Sequence, residues 1–215
     1  NVVHLGEREC SIQRRHQKII EESPSPRISE DIRNKMGDAA VKLAKQIKYE
    51  SAGTVEFLFD DKTEEFWFLE VNTRLQVEHP VTEEVTGKDL VYEQLRIARG
   101  EELGYSQEDI TWSGSSIEAR LYAENPESNF LPTSGKIYKL KYPKINGLRI
   151  DSDLKSGDFV DIHFDPMIAK IVAHDISREK AINKLKYALS QIVLLGPVTN
   201  IELLKSILSS DSFVK

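Results

Sequence analysis

Glu70-Val71-Asn72-Thr73-Arg74-Leu75-Gln76-Val77-Glu78 carries an acid, an amide or a base at every second position. In a strand alternate side chains share a face, so Glu70, Asn72, Arg74, Gln76 and Glu78 would line one side. A solvated strand face is the ordinary reading of such alternation. Here Asn and Glu are poor strand formers, and a merely wet face more often carries Thr, Lys or Ser, so the row reads as a site. Outward from it, the strand-like runs Gly53–Phe59 and Phe66–Val77 flank the polar stretch Asp60–Glu65, a hairpin pattern with a longer loop. Folding it about Lys62–Thr63 brings Glu56 opposite, or nearly opposite, Glu70. Like charges across a ladder repel, and a divalent cation would turn that cost into a site. Magnesium takes one or two carboxylates plus substrate phosphates, which makes Glu56, Glu70 and Asn72 the candidate metal ligands. Arg74 offers a planar fork of donors for a carboxylate or bicarbonate, and Glu78 could accept a proton. The row suits a metal-phosphate bound beside a small oxyanion, without naming a reaction.

The rest of the chain reads as a mixture of helices and strands. Val2–Ile20 suggests a strand pair turning at Gly6-Glu7-Arg8-Glu9, followed by an extended Ser23-Pro24-Ser25-Pro26 loop. Ser29 offers an N-cap, and Ile32, Met36, Ala39, Ala40, Leu43, Ala44 and Ile47 recur at helical spacing. A second helix runs from its cap Asp89 to Gly100. From Ser115 short strands are expected at Ser116–Tyr122, Lys136–Tyr142, Phe159–Phe164 and Met167–His174. Two helices close the chain, the first capped by Ser177 and the second marked by Ile201, Leu204, Ile207 and Leu208. A boundary in Tyr105–Gly114 gives domains 1–109 and 110–215, with no internal repeat.

The composition is that of a globular protein: 215 residues, 40% hydrophobic and 30% charged. A net charge of −6 argues against general attraction to nucleic acid or an anionic membrane. The local cluster Arg14-Arg15-His16-Gln17-Lys18 lacks interleaved aromatics and is followed by Glu21-Glu22, so nucleic acid is not expected there either. Arg14 and Arg15 read instead as structural partners of acidic residues. Cys10 is the single cysteine; it excludes an internal disulfide, fits the cytoplasm or a mitochondrial matrix, and reads as a small buried side chain. His4, His163 and His174 lack metal-ligand spacing and read as structural, while Asp165 before Pro166 suggests a turn. No apolar run is long enough for a bilayer span and no signal-peptide pattern is present. Beginning at Asn1 in strand-like sequence, the chain reads as a piece of a longer one.

Several separated blocks, in order, resemble the biotin carboxylase signature of the ATP-grasp superfamily. They are Gln13-Arg14-Arg15-His16-Gln17-Lys18, Ala52-Gly53-Thr54-Val55-Glu56-Phe57 and Glu70 through Glu78 continuing into His79-Pro80. Further blocks are Glu118-Ala119-Arg120-Leu121, Phe130-Leu131-Pro132, Ser134-Gly135 and Asp165-Pro166-Met167-Ile168. The resemblance covers almost the whole chain. It implies an α+β fold: the C-terminal half of an ATP-grasp domain followed by the small biotin carboxylase C-terminal α/β domain. It implies that Glu56, Glu70 and Asn72 hold Mg2+ or Mn2+, with Glu56 and Glu70 also at the ATP phosphates and His16 near the nucleotide. Lys18, Arg74, Gln76, Val77 and Arg120 would bind bicarbonate, Val77 through its backbone N–H, and Glu78 would remove its proton. Bicarbonate would then attack ATP to form carboxyphosphate, which carboxylates the N1′ of biotin, with Arg120 stabilising charge on the biotin ureido oxygen.

What is missing also carries weight. None of the 11 glycines builds a lysine-containing, phosphate-cradling loop, so this chain alone should turn over ATP negligibly. No Met-Lys-Met tripeptide is present, so biotin would arrive on a separate carrier domain or subunit. A carboxyltransferase is the other implied partner, and the full component is expected to form a homodimer. Two alternatives stand beside this reading: another ATP-grasp ligase that phosphorylates bicarbonate, and a non-catalytic interaction module. Arg120 and the C-terminal domain argue against the first. Intact Glu56, Glu70, Asn72, Arg74, Glu78 and Arg120 argue against the second.

Overall fold

The computed structural model describes residues 1–161 and 163–214. Its main elements in chain order are β1 (Glu9–Arg14), β2 (Gln17–Ser23), α1 (Glu30–Gln46), β3 (Thr54–Asp60), β4 (Glu65–Asn72), α2 (His79–Thr86), α3 (Leu90–Ala98), β5 (Ser115–Tyr122), β6 (Leu148–Asp151), β7 (Met167–Asp175), α4 (Arg178–Gln191) and α5 (Ile201–Ser209). They form two compact units, Asn1–Glu9 with Ser23–Ser113, and Cys10–Glu22 with Gly114–Lys215.

In the first unit α1 starts where its cap predicts, with Ser29 Oγ accepting from the Ile32 N–H at 3.4 Å and Glu30 and Asp31 in the first turn facing the positive end of the helix dipole. Ile32 and Met36 are buried, but the apolar stripe gives out at Ile47, which is the C-cap and 52% exposed. The His4 ring lies so close to Gly37 that a Cβ there would meet its Nε2 at 2.5 Å. His4 also stacks on Trp112 at 6.1 Å between ring centroids. Ala39 and Leu43 of α1 and Val55, Phe57 and Phe68 of the hairpin line an apolar hollow of about 250 Å³. Asp89 caps α3, accepting from the Tyr92 N–H at 2.8 Å.

Three expectations change in the N-terminal half of the chain. Residues before Glu9 form no strand, and the hairpin turns instead at Arg15-His16, whose φ values of 49° and 63° are both left-handed, as a two-residue turn between twisted strands requires. The row expected to run as a strand to Val77 leaves the ladder at Asn72, because Asn72 pairs with Thr54, the first residue of β3, and no partner remains beyond it. The helix α2 was not anticipated, since Val81, Thr82, Val85 and Thr86 are β-branched and weaken the local helical signal. It forms with Pro80 in its first turn, and Val81 and Val85 are buried one helical turn apart.

The second unit is a five-stranded sheet in the order β1-β2-β5-β7-β6. β7 runs antiparallel to both β5 and β6. One face, carrying Ile117, Ala119, Leu121, Ile171 and Ala173, joins Leu185 and Leu189 of α4 and Leu204 and Leu208 of α5 in the core. Ser177 caps α4 by accepting from the Lys180 N–H at 3.4 Å. The strand expected at Lys136–Tyr142 is divided: Gly135–Lys136 pairs with Phe159–Val160, and Lys139–Lys141 with Val193–Leu195. The expected strand Phe159–Phe164 is therefore cut to Phe159–Val160, and Ile162 within it lies outside the described residues.

Asn200, 0% exposed at the start of α5, accepts from the Tyr122 N–H at 2.9 Å and donates to the Arg120 carbonyl at 3.0 Å. Asn200→Ala should strand both β5 groups and cost about 3 kcal/mol, read as a lower urea midpoint with an unchanged slope. Across β6 and β7, Asp151 accepts from Arg149 at 2.8 Å and pairs with Lys170 at 3.1 Å. Burial would raise its pKa, but Arg149 and Lys170 together hold it below the ordinary carboxylate value. A depressed folded pKa gives stability that is present above the unfolded value and lost as pH falls through the folded one. Asp151→Asn should therefore reduce the loss of stability on acidification below about pH 4, measured by unfolding at stepped pH.

Candidate metal and oxyanion site

The metal trio expected from the hairpin comes together through a bulge. From Asp60↔Glu65 to Phe57↔Phe68 the ladder is regular; the register then shifts by one between Glu56 and Phe57, and Glu56 faces Glu70, Val55 faces Val71 and Thr54 faces Asn72. Without the shift Glu56 would face Leu69, and Glu70 would take the other side of the sheet. The bulge thus lets Phe68 pair with Phe57 on one face while Glu70 pairs with Glu56 on the other.

Amide side chains manage the facing carboxylates. Asn72 Nδ2 donates to Glu56 Oε1 and to Glu70 Oε1, each at 3.0 Å. Gln76 Nε2 donates to the same Glu56 oxygen at 2.7 Å. Arg74, exposed, donates to Asn72 Oδ1 at 3.3 Å. Glu56, Glu70, Asn72, Arg74 and Gln76 are therefore one connected cluster, although Arg74, Gln76 and Glu78 lie beyond the strand. The chain then turns, with the His79 N–H donating to the Gln76 carbonyl at 3.2 Å. Glu78, 2% exposed, occupies the N-cap position of α2 without a side-chain cap bond.

The donor set fits a hard divalent cation. Two carboxylates and an amide offer oxygen ligands, and among the described residues no group of three or more His, Cys, Asp or Glu could hold a metal ion on its own. Magnesium relies on one or two carboxylates with substrate phosphates completing the shell, and Glu56 and Glu70 supply two. In the present arrangement Asn72 turns its NH2, not its Oδ1, toward the acids, so it would have to rotate to become a ligand.

Val77 lies in the same loop of the first unit, between Gln76 and Glu78, and the second unit holds His16, Lys18 and Arg120. His16 sits exposed in the β1–β2 turn, and Lys18, half-buried, lies on β2, next to β5 with Arg120. All eight residues of β5 are buried, including its polar members Ser116, Glu118 and Arg120. An alternating antiparallel strand ordinarily wets its polar face; this one buries it, and the charge of Arg120 is met by pairing. Arg120 Nε donates to Glu21 Oε1 at 2.6 Å, and its NH2 also pairs with that oxygen. Burial would lower the Arg120 pKa, but Glu21 and Tyr122 outweigh it, so the pKa rises and the cation is secure. Burial pushes the Tyr122 hydroxyl up.

Of the basic cluster, Arg14 pairs with buried Glu124, donating from Nε at 2.9 Å, and lies 5.0 Å from the centre of the Phe130 ring. Arg15 donates instead to the Asn129 carbonyl at 2.7 Å, and no acid pairs with it among the described residues. Cys10 is half-buried rather than fully enclosed. Asp165 shapes a turn by accepting from the Met167 N–H at 3.0 Å. The sequence reading missed Arg8, taken for part of a turn. It donates to Gln76 Oε1 at 2.8 Å, Thr54 Oγ1 at 2.9 Å and Thr82 Oγ1 at 3.0 Å.

The hairpin sets two carboxylates face to face and leads into the loop carrying Arg74 and Gln76, and it lies within a segment that the comparisons match to an ATP binding domain. Residues 1–106 match the family described as carbamoyl-phosphate synthase L chain, ATP binding domain, and residues 118–215 match the biotin carboxylase C-terminal domain. The chain belongs to the biotin carboxylase family. Biotin carboxylase 1 of Bacillus subtilis is 49% identical over 100% of this chain and 48% of its own length. The mitochondrial methylcrotonoyl-CoA carboxylase subunit alpha of Mus musculus is 51% identical over 95% of this chain and 28% of its own. The biotin carboxylase domain dimer of Hydrogenobacter thermophilus 2-oxoglutarate carboxylase, solved with MgADP, ADP and bicarbonate, superposes with a TM-score of 0.97 at 45% identity, over 99% of this chain and 47% of that one. The chain thus spans less than half the length of these relatives. Among the described residues no helix is long and apolar enough to cross a membrane.

Arg120→Met should leave Glu21 buried without its cation and destabilise the second unit by about 3–5 kcal/mol. Arg120→Met combined with Glu21→Gln should recover most of that loss in thermal or urea unfolding. Activity lost on removing Arg120 is therefore attributable to chemistry only when compared with the double variant.

Proposed function

We propose that this chain supplies the metal-binding and bicarbonate-binding part of a biotin carboxylase, which carboxylates biotin N1′ at the expense of ATP. The observation that carries this reading is the register that sets Glu56 against Glu70 under a bridging Asn72. A Mg2+ or Mn2+ ion held by Glu56, Glu70 and Asn72 would supply charge neutralisation at the ATP phosphates. The chain's own residues do the rest. Arg74 offers its fork to bicarbonate, Gln76 and the Val77 N–H add donors, and Glu78 removes the bicarbonate proton so that its oxygen can attack the γ-phosphoryl group. Carboxyphosphate forms and ADP leaves. Lys18 offsets charge on the transferring phosphoryl group and His16 approaches the nucleotide; carboxyphosphate then splits into carbon dioxide and phosphate, the phosphate takes the N1′ proton, and Arg120 stabilises the biotin ureido oxygen while N1′ bonds to the carbon dioxide.

Biotin would come on a carrier domain or subunit, and the carboxylated carrier would pass to a carboxyltransferase. The full component is proposed to work as a homodimer in cytoplasm or mitochondrial matrix. The 215 residues alone should show negligible turnover, since none of their 11 glycines forms a phosphate-cradling loop.

The test is ADP formation by the full carboxylase component, with and without bicarbonate and then with free biotin. Turnover that needs bicarbonate and rises with biotin is expected; turnover indifferent to biotin would point to another bicarbonate-phosphorylating ligase. Glu78→Gln should lower kcat by about 10²–10⁴-fold, the usual worth of a general base, with little change in the KM for ATP.

A further inference from the structure

Gln76 is 5% exposed and its amide could be packed either way round. Only one orientation satisfies its neighbours, because a guanidinium has donors and no acceptor, while a carboxylate only accepts. With Oε1 toward Arg8 at 2.8 Å, Nε2 is aimed at Glu56 Oε1 at 2.7 Å. The reverse orientation would set NH2 against guanidinium N–H and carbonyl oxygen against carboxylate, losing both bonds and adding two repulsions. Arg8 is itself fixed, since Thr54 at the start of β3 and Thr82 in α2 accept from its NH2 and NH1 groups. The fork thus clamps the strand bearing Glu56, the loop bearing Gln76 and the helix that follows Glu78. A lysine, with a single ammonium, cannot reproduce that planar set.

We propose that Arg8 is a positioning residue for the cation site, acting by locking the Gln76 amide so that it holds the Glu56 carboxylate in a ligating orientation. The inference rests on the metal-site reading above. Partners behind a metal ligand commonly set affinity by 10–100-fold, and that is the size of effect expected.

The experiment is Mn2+ binding to the full carboxylase component in the presence of ADP, followed by loss of the free-ion electron paramagnetic resonance signal, with thermal unfolding in parallel. Arg8→Met and Arg8→Lys should each raise the Mn2+ dissociation constant about tenfold or more, while ADP binding without metal stays as in wild type. Gln76→Met should do the same, and Arg8→Lys combined with Gln76→Met should be no worse than Gln76→Met alone, because the two act as one chain of contacts. If Arg8→Met does not fold, Arg8→Lys carries the comparison. Unchanged Mn2+ affinity in a folded Arg8 variant, or losses that add in the double variant, would overturn the role of Arg8 and leave the metal site standing. Failure of the wild type to bind Mn2+ with ADP would overturn the metal-site reading and this inference with it.

Discussion

Glu56 and Glu70 are held face to face across a two-stranded ladder, and the layout of the first unit follows from how that repulsion is managed. Like charges at directly opposed positions destabilise a hairpin, so the register must be imposed by something else. The aromatic side provides it: Phe57 and Phe66 meet edge to face at 5.4 Å, and Phe57 pairs with Phe68. The bulge then inserts the extra residue that swings Glu70 onto the face of Glu56. The favourable packing of one face thereby positions an unfavourable pair on the other, where a cation would be welcome.

The amides are the second part of the solution. Asn72 and Gln76 place NH2 groups on the carboxylates, and each has its carbonyl oxygen taken by an arginine, Arg74 for Asn72 and Arg8 for Gln76. The two arginines differ in a way that suits different tasks. Arg8 is half-buried and tied to two threonines, whereas Arg74 is exposed. A fixed donor keeps the carboxylate pre-oriented; an exposed one can turn to an incoming oxyanion.

The second unit buries charge by the same logic. β5 carries its polar residues inward and has to satisfy them internally, since an isolated buried ion is far more costly than a paired one. Arg120 on β5 pairs with Glu21, and elsewhere in the unit Arg14 pairs with Glu124 and Arg178 with Glu22, at 2.6 Å. Such pairs add little net stability compared with apolar packing. What they provide is a cation whose position and protonation are settled before any substrate arrives, which is the electrostatic preorganisation that oxyanion chemistry uses.

Features governed by neighbours along the chain were legible in the residues. Ser29, Asp89 and Ser177 cap helices as read, because an N-cap bond reaches only three residues ahead. The pairing of Glu56 with Glu70 was also within reach, because a hairpin confines the search to a few registers. The extent of the strand was not. Whether Arg74, Gln76 and Glu78 continue a ladder depends on a partner, and β3 supplies none beyond Thr54. Arg8 stayed hidden for the same reason, as its acceptor Gln76 lies 68 residues away, and Arg120 and Glu21 are separated by 99. Sequence by itself determined the residue chemistry, the helix starts and the hairpin that brings Glu56 near Glu70, all set by local backbone preference. Only the tertiary structure decided the bulge, the loop after Asn72 and the arginines behind the amides, since hydrogen bonds between distant segments exist only once packing has brought those segments together.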